Sequence, residues 1–360
     1  MSVNRNLRMD NAKGILIMLV VIGHFLLPLQ GRTVVCTNLF YEIYVFHMAA
    51  FTFISGLFSR NIYRGKEKKS FNLRQLFKTL WLYVIFEIIV FFSEIPAYGR
   101  ASAWPDLFHE EGAPWYLLAL FVWYLFIPFF TVLKDKVFKS GSVIMLFIVI
   151  LSLGGGYISG VGEFLSIERI LAFAPFFYAG HFTGSEKLEA FLRGEKPEQA
   201  KAIWYVIEAL ALFSVLAIAL FMYDYLLPYH DIVFGVWYER LRAYEHPECF
   251  TGITGQFWFL RLLWYIFAGA VTLSFLRVIP DRRIPVLSLM GQRTLQIYIL
   301  HRPVRDLMLA AGLITCFDPG KPTDLIMVLL FCTVLSVMLS AGIFTKLFEF
   351  ILTPFKKKQP

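Results

Sequence analysis

The chain has 360 residues, 58% hydrophobic and 18% aromatic, with only 17% charged and a formal net charge of +8. Soluble domains are about half apolar and about a quarter charged, and here the apolar excess falls in blocks of roughly 18 to 25 residues, the length that crosses a bilayer. This excludes an ordinary soluble protein, and the basic surplus, spread through short loops, excludes a nucleic-acid-binding patch.

The chain opens with Arg5, Arg8 and Lys13 ahead of an apolar run, as a signal peptide does. The following "LLPLQGRTVVC" offers large residues where a cleavage site needs small ones, so this stretch is expected to stay as a first span. Ten apolar segments are predicted, at 11–30, 39–59, 76–93, 114–133, 142–159, 167–183, 202–223, 256–276, 286–306 and 325–351. The fold class they predict is an all-α, polytopic membrane helix bundle, one domain over 1–360, whose longest outer connection is 224–255. No 20- to 50-residue period, low-complexity tract or duplication of halves is visible.

With the N-terminus cytoplasmic, the inner connections carry "SRNIYRGKEKKSFNLRQLFK", "KDKVFK", "EKLEAFLRGEKPEQAK" and "RVIPDRR". That assignment places 25 of the 34 Lys and Arg inside and predicts both termini cytoplasmic in the plasma membrane, with membrane lipids as surroundings. The four cysteines, Cys36, Cys249, Cys316 and Cys332, lie far apart with no CxxC spacing, which predicts packing or incidental residues rather than metal ligands.

The first span contains Lys13 and, eleven positions later, His24. At about 100° and about 1.5 Å per residue, the two share a helix face and differ by about 16 Å in height. Lys13 is expected at the cytoplasmic boundary, as a snorkelling anchor or a functional cation. His24 is expected in the outer half of the membrane, where an ionisable group is costly and faces a polar cavity. Pro28 lacks an N–H and leaves the His24 carbonyl without its usual helical donor. The second segment, "FYEIYVFHMAAFTFISGLFSR", returns inward and puts His47 at similar depth, as a second functional imidazole or a structural hydrogen-bonder, with Glu42 nearer the mouth. Ser55 and Gly56 suggest small-residue helix packing.

Further along, Glu87 stands about 13 residues, roughly 20 Å, above Arg74, near the histidine layer, as a partner of an imidazole or a structural group. Arg74 and Lys78 share a face. Trp115 sits where an aromatic-belt residue would. Glu168 and Arg169 open the sixth span, as an interfacial pair or as the lining of an entrance. His181 falls near the inner face, packed or solvated. Tyr225, Tyr229, Trp237, Tyr238 and Tyr244 lie among charged residues of the outer connection, suited to sugar rings or to an interfacial belt. Thr294, Tyr298, His301 and Arg305 form one stripe of the ninth segment, with His301 and Arg305 near the outer boundary as substrate contacts or anchors.

"MDNAKGILIMLVVIGHFLLP" together with "IYVFHMAAFTFISGLF" resembles the opening of the acyltransferase-3 family of bacterial membrane acyltransferases, most of all its fucose 4-O-acetylase-like branch. That family has Arg or Lys, ten residues, then His in the first span, and a histidine-containing "FHMP(L)FFFISG" second span. The similarity continues in "APWYLLALFVWYLF", "ERILAFAPFFYAGHF" and "LMGQRTLQIYILH", and so runs along essentially the whole chain. The third span departs from the family's two arginines three apart followed by Pro-Tyr, since Arg74 and Lys78 are four apart and Leu82 takes the proline position.

The resemblance implies transfer of an acyl group, usually acetyl from acetyl-CoA, to a hydroxyl of a cell-surface carbohydrate or glycolipid, with no metal. In that light Lys13, Arg74 and Lys78 are the candidate cations for the polyanionic donor at the inner face. His24, with His47 and Glu87 as companions, is the candidate general base or transient acyl acceptor. Glu42, Arg169, His301 and Arg305 are the candidate acceptor contacts. The alternative is a secondary transporter using His24, His47 and Glu87 as a proton relay, although the matched halves usual in such folds are not seen.

Overall fold

The computed structural model describes residues 6–64, 70–99, 104–109, 112–158, 160–183, 185–193, 227–242 and 256–355. The expected seventh span, 202–223, and the parts 224–226 and 243–255 of the long connection lie outside the described residues.

The regular elements of the described residues are helices, apart from a short antiparallel pair, β1 (Tyr63–Arg64) and β2 (Ser70–Phe71), and one isolated bridge. The helices are α1 Leu7–Leu26, α2 Val34–Tyr44, α3 His47–Ser59, α4 Leu73–Tyr98, α5 Trp115–Val132, α6 Gly141–Gly155 and α7 Ile167–Phe182. They continue as α8 Ser185–Arg193, α9 Tyr238–Arg242, α10 Phe257–Val278, α11 Pro285–Gln292, α12 Thr294–Ala310, α13 Pro322–Leu339 and α14 Gly342–Ile351. Among the described residues six helical stretches are long and apolar enough to cross a membrane: Leu7–Leu29, Val34–Ser59, Leu73–Tyr98, Trp115–Phe138, Phe257–Val278 and Pro322–Leu339. The all-α membrane class follows directly.

Local chemistry sets several boundaries. The Asn6 side chain accepts from the Met9 backbone N–H at 3.1 Å and caps α1. Pro28 ends that helix in a single 3₁₀ turn, Leu27–Leu29. Pro285 and Pro322 begin α11 and α13, where a missing N–H costs nothing.

Three expected spans are broken. The second divides between α2 and α3 at Val45 and Phe46, and the Trp264 indole donates to the Val45 carbonyl at 2.9 Å. The ninth divides at Arg293, whose φ of −119° and ψ of 26° leave the helical region. The tenth divides at Ser340 and Ala341. There Gln296 donates to the carbonyls of Leu339 (2.7 Å) and Ala341 (3.2 Å), and Arg293 donates to that of Ser340 (2.5 Å). Backbone groups freed inside a membrane must find such partners.

The chain forms two compact units. The first takes the described residues of Met1–Ile43, Trp81–Leu107 and Val278–Pro360, and the second those of Tyr44–Leu80 and Phe108–Arg277. In the first unit, α11, α12 and α13 pack on α1, whose Leu16, Ile17, Val21 and Leu26 are fully buried. The α1–α11 contact is backbone to backbone: Gly291 meets the Asp10 carbonyl and Gly14 meets the Leu287 carbonyl, with no room for a Cβ at either. Asn11 clamps the same junction, donating to Pro280 O (3.0 Å) and Arg282 O (2.8 Å) and accepting from Ser288 Oγ (2.6 Å).

In the second unit α7 is covered by α3, α5 and α6. Gly56 on α3 and Gly180 on α7 let those two backbones touch, since a Cβ on Gly56 would stand 2.9 Å from the Phe177 carbonyl carbon. The described part of the long connection is folded inward. Trp237 donates its indole N–H to Gly162 O at 2.7 Å, and Arg261 lies 4.5 Å over the Tyr238 ring. Burial pushes the Tyr238 phenol above its usual range, opposed by the Arg261 charge, so it is a neutral hydroxyl.

Candidate active site

The first unit brings together the last turns of α1, the C-terminal half of α4 and the middle of α12. Their shared feature is a pair of imidazoles. Nε2 of His301 lies 3.1 Å from Nδ1 of His24, with ring centroids 4.8 Å apart and planes at 46°. Each Nδ1 also faces a carbonyl one turn earlier on its own helix: Val20 O at 2.9 Å for His24 and Ile297 O at 3.1 Å for His301. His301 is fully buried, whereas His24 is only partly so. Tyr298 stands beside His301 at 6.2 Å between centroids and is met by the edge of Phe86 from α4.

Next to the pair, α12 carries Arg302, Arg305 and Asp306, all buried. Arg302 Nη2 donates to Glu94 Oε1 at 2.7 Å, and its Nε lies 3.8 Å from Asp306 Oδ2. Arg305 Nε donates to Asp306 Oδ1 at 2.8 Å and its Nη2 to Tyr98 Oη at 3.0 Å. Ser93 Oγ donates to Asp306 Oδ2 at 2.8 Å. Two cations and two carboxylates thus neutralise each other, which is how buried charge is tolerated. Replacing Asp306 with Ala strands the Arg305 guanidinium, and a loss of about 3–5 kcal/mol is expected. Thermal unfolding in detergent checks this; a wild-type midpoint would rule out the network's structural role.

Of the candidate residues, His24, His301 and Arg305 meet here. Glu87 is buried on α4, one turn-pair below Glu94 on the same face. Lys13, a little over three turns below His24 on α1, is held by Asp10 at 3.0 Å and keeps 19% of its side-chain surface exposed. Glu42 is partly buried on α2.

The remaining candidates belong to the second unit. His47 starts α3, is 2% exposed and meets the Tyr44 ring edge-on at 4.9 Å. Arg74 is exposed in the first turn of α4, and Lys78 one turn on is partly buried. Arg169 donates to Gly112 O at 3.4 Å and lies 5.8 Å from the Trp115 ring. Trp115 is buried against Phe173 rather than displayed at an interface. Glu168 accepts from the Trp237 backbone N–H at 3.1 Å and so anchors the connection. His181 is packed, with Ser59 Oγ 2.6 Å from its Nδ1.

His301 and Arg305, expected as contacts for an acceptor, lie here with Ser93, Glu94, Arg302 and Asp306, which the sequence does not single out. The available signal was the density of charge in "HRPVRD" and "SEIPAY", which reads equally well as an interfacial belt.

A family described as an acyltransferase domain, acyltransferase 3, matches residues 6–345. A nodulation protein, NolL, of Mesorhizobium japonicum (strain LMG 29417 / CECT 9101 / MAFF 303099) is 33% identical over 140 residues, which is 36% of this chain and 36% of that protein. No solved structure matches the chain. The family match takes in α1, α4 and α12, and with them every residue around the imidazole pair, so the chain belongs to the acyltransferase-3 family of multi-pass membrane proteins.

Proposed function

We propose that this protein moves an acyl group, acetyl from acetyl-CoA, to a hydroxyl of a cell-envelope carbohydrate, with His24 as the group that handles the proton. The observation carrying this reading is the partly buried imidazole of His24 held by the fully buried His301. An imidazole so placed takes the proton of an attacking hydroxyl on Nε2, while the hydroxyl oxygen bonds to the acyl carbon and the carbon–sulfur bond breaks. Nε2 then returns the proton to the departing thiolate. A base positioned in this way contributes about 10²–10⁴-fold. The same nitrogen serves if the acyl group rests on His24 in transit.

Acetyl-CoA supplies the activated acyl group as a thioester. Its phosphates call for a cation, and in the first unit the partly exposed Lys13 is suited to them. Lys13 is tethered to Asp10, which orients its ammonium while leaving about a fifth of the side chain open.

The reading is tested by incubating the purified protein in lipid vesicles with radiolabelled acetyl-CoA and glycan extracted from the producing cells. Alkali-labile label on the glycan is the expected result. Absence of such label, together with solute uptake that needs no acyl-CoA, would assign the molecule to transport instead.

A further inference from the structure

The two histidines do not play equal parts, and their hydrogen bonds say which nitrogen does what. A backbone carbonyl oxygen only accepts. Nδ1 of His301 faces Ile297 O at 3.1 Å, so in the neutral ring that nitrogen carries the hydrogen and Nε2 is left bare. Nδ1 of His24 faces two acceptors, Val20 O at 2.9 Å and the bare Nε2 of His301 at 3.1 Å. Nδ1 of His24 therefore also carries the hydrogen, shared between them, and the lone pair of His24 falls on Nε2. That nitrogen has no hydrogen-bond partner among the described residues.

We propose that His301 is a positioning residue: it accepts the Nδ1–H of His24 and so holds the tautomer and ring orientation in which Nε2 of His24 is the reactive atom. This rests on His24 being the proton-handling group. His301 is fully buried and faces His24, so it does not reach the acceptor itself. When Nε2 of His24 takes the hydroxyl proton, Nδ1 keeps its own, and Nε2 of His301 remains the acceptor for it. No proton passes to His301, and the ring pair returns to its starting state when Nε2 gives its proton to the leaving thiolate. The arrangement resembles in logic an acid holding a catalytic imidazole, with a neutral ring in place of the carboxylate.

Loss of the correct tautomer in a serine-protease triad costs about 10⁴ in kcat. Here the Val20 carbonyl remains as a second acceptor, so a smaller effect follows: His301→Leu lowers kcat by about 10²-fold with KM for acetyl-CoA within about twofold. His301→Gln places an amide oxygen near the position of Nε2 and recovers activity to within about tenfold, whereas the shorter His301→Asn does not. The assay uses the full-length protein in vesicles, radiolabelled acetyl-CoA and extracted glycan. In parallel, ¹⁵N-histidine spectra of the wild type at neutral pH are expected to show His24 protonated on Nδ1 and bare on Nε2.

Wild-type kcat in His301→Leu, or Gln as inactive as Asn, would overturn the proposal, as would a His24 signal protonated on Nε2. If His301→Leu fails to enter the membrane, the comparison of Gln with Asn and the wild-type spectrum decide. Full activity in His24→Ala would instead remove the functional reading, while the spectrum would still report whether His301 sets the tautomer.

Discussion

His24→Ala is expected to retain its place in the membrane and to lose acyl transfer by about 10²–10⁴-fold, the contribution of a positioned general base. The magnitude follows from the site. His24 is the partly exposed histidine of the first unit, since His301 is fully buried and turned toward it. The loss is expected on kcat rather than on KM for acetyl-CoA, because Lys13, the cation proposed for the donor in the same unit, is untouched. The substitution also leaves Nε2 of His301 as a buried acceptor without a donor, a cost of about 1–3 kcal/mol that lowers the unfolding midpoint without abolishing folding. Rates measured on equal amounts of membrane-inserted protein separate the two effects. Wild-type transfer by His24→Ala would remove the catalytic assignment.

The second large effect is on stability. Gly291 and Gly14 let α11 and α1 meet backbone to backbone, and a Cβ on Gly291 would stand 2.6 Å from the Asp10 carbonyl carbon and 3.0 Å from the Gly14 nitrogen. Main-chain atoms cannot rotate away as a side chain does, so Gly291→Ala must separate the helices. Overpacking of this kind costs about 1–3 kcal/mol, sometimes more, and here it also strains the Asn11 clamp on Pro280, Arg282 and Ser288. A cost of about 3 kcal/mol is expected for Gly291→Ala. Gly141→Ala is the control, because nothing lies within 4 Å of its Cβ position. Thermal unfolding in detergent should show a clear drop for the first and little change for the second. Equal midpoints would mean that the contact is not tight in the folded protein.

The register of Lys13 and His24 was legible from spacing alone, since one helix carries both and eleven positions return to nearly the same face. Element types were legible from apolar block length, and α11 and α13 begin at Pro285 and Pro322, close to the expected 286 and 325. The breaks were not. The interruption at Val45 and Phe46 is accompanied by a bond from Trp264, and the one at Ser340 by bonds from Arg293 and Gln296, all distant in sequence. No local propensity reports such partners.

The same limit hid the centre of the site. His24 and His301 are 277 positions apart, and depth estimates placed both toward the outer side without saying that they touch. Arg302 and Arg305 are chemically identical whether they snorkel to water or answer Glu94 and Asp306 inside the protein, and the sequence pattern does not separate these cases. Tyr238 and Trp237 illustrate the converse: aromatics that read as a binding surface are buried parts of the second unit.

The most direct test of the account is carbethoxylation of the wild-type protein with diethyl pyrocarbonate, following His24 by peptide mass spectrometry and acyl transfer in the same samples. The account predicts that transfer falls in step with modification of His24, that acetyl-CoA slows both, and that hydroxylamine restores both. Complete modification of His24 with an unchanged transfer rate would contradict it.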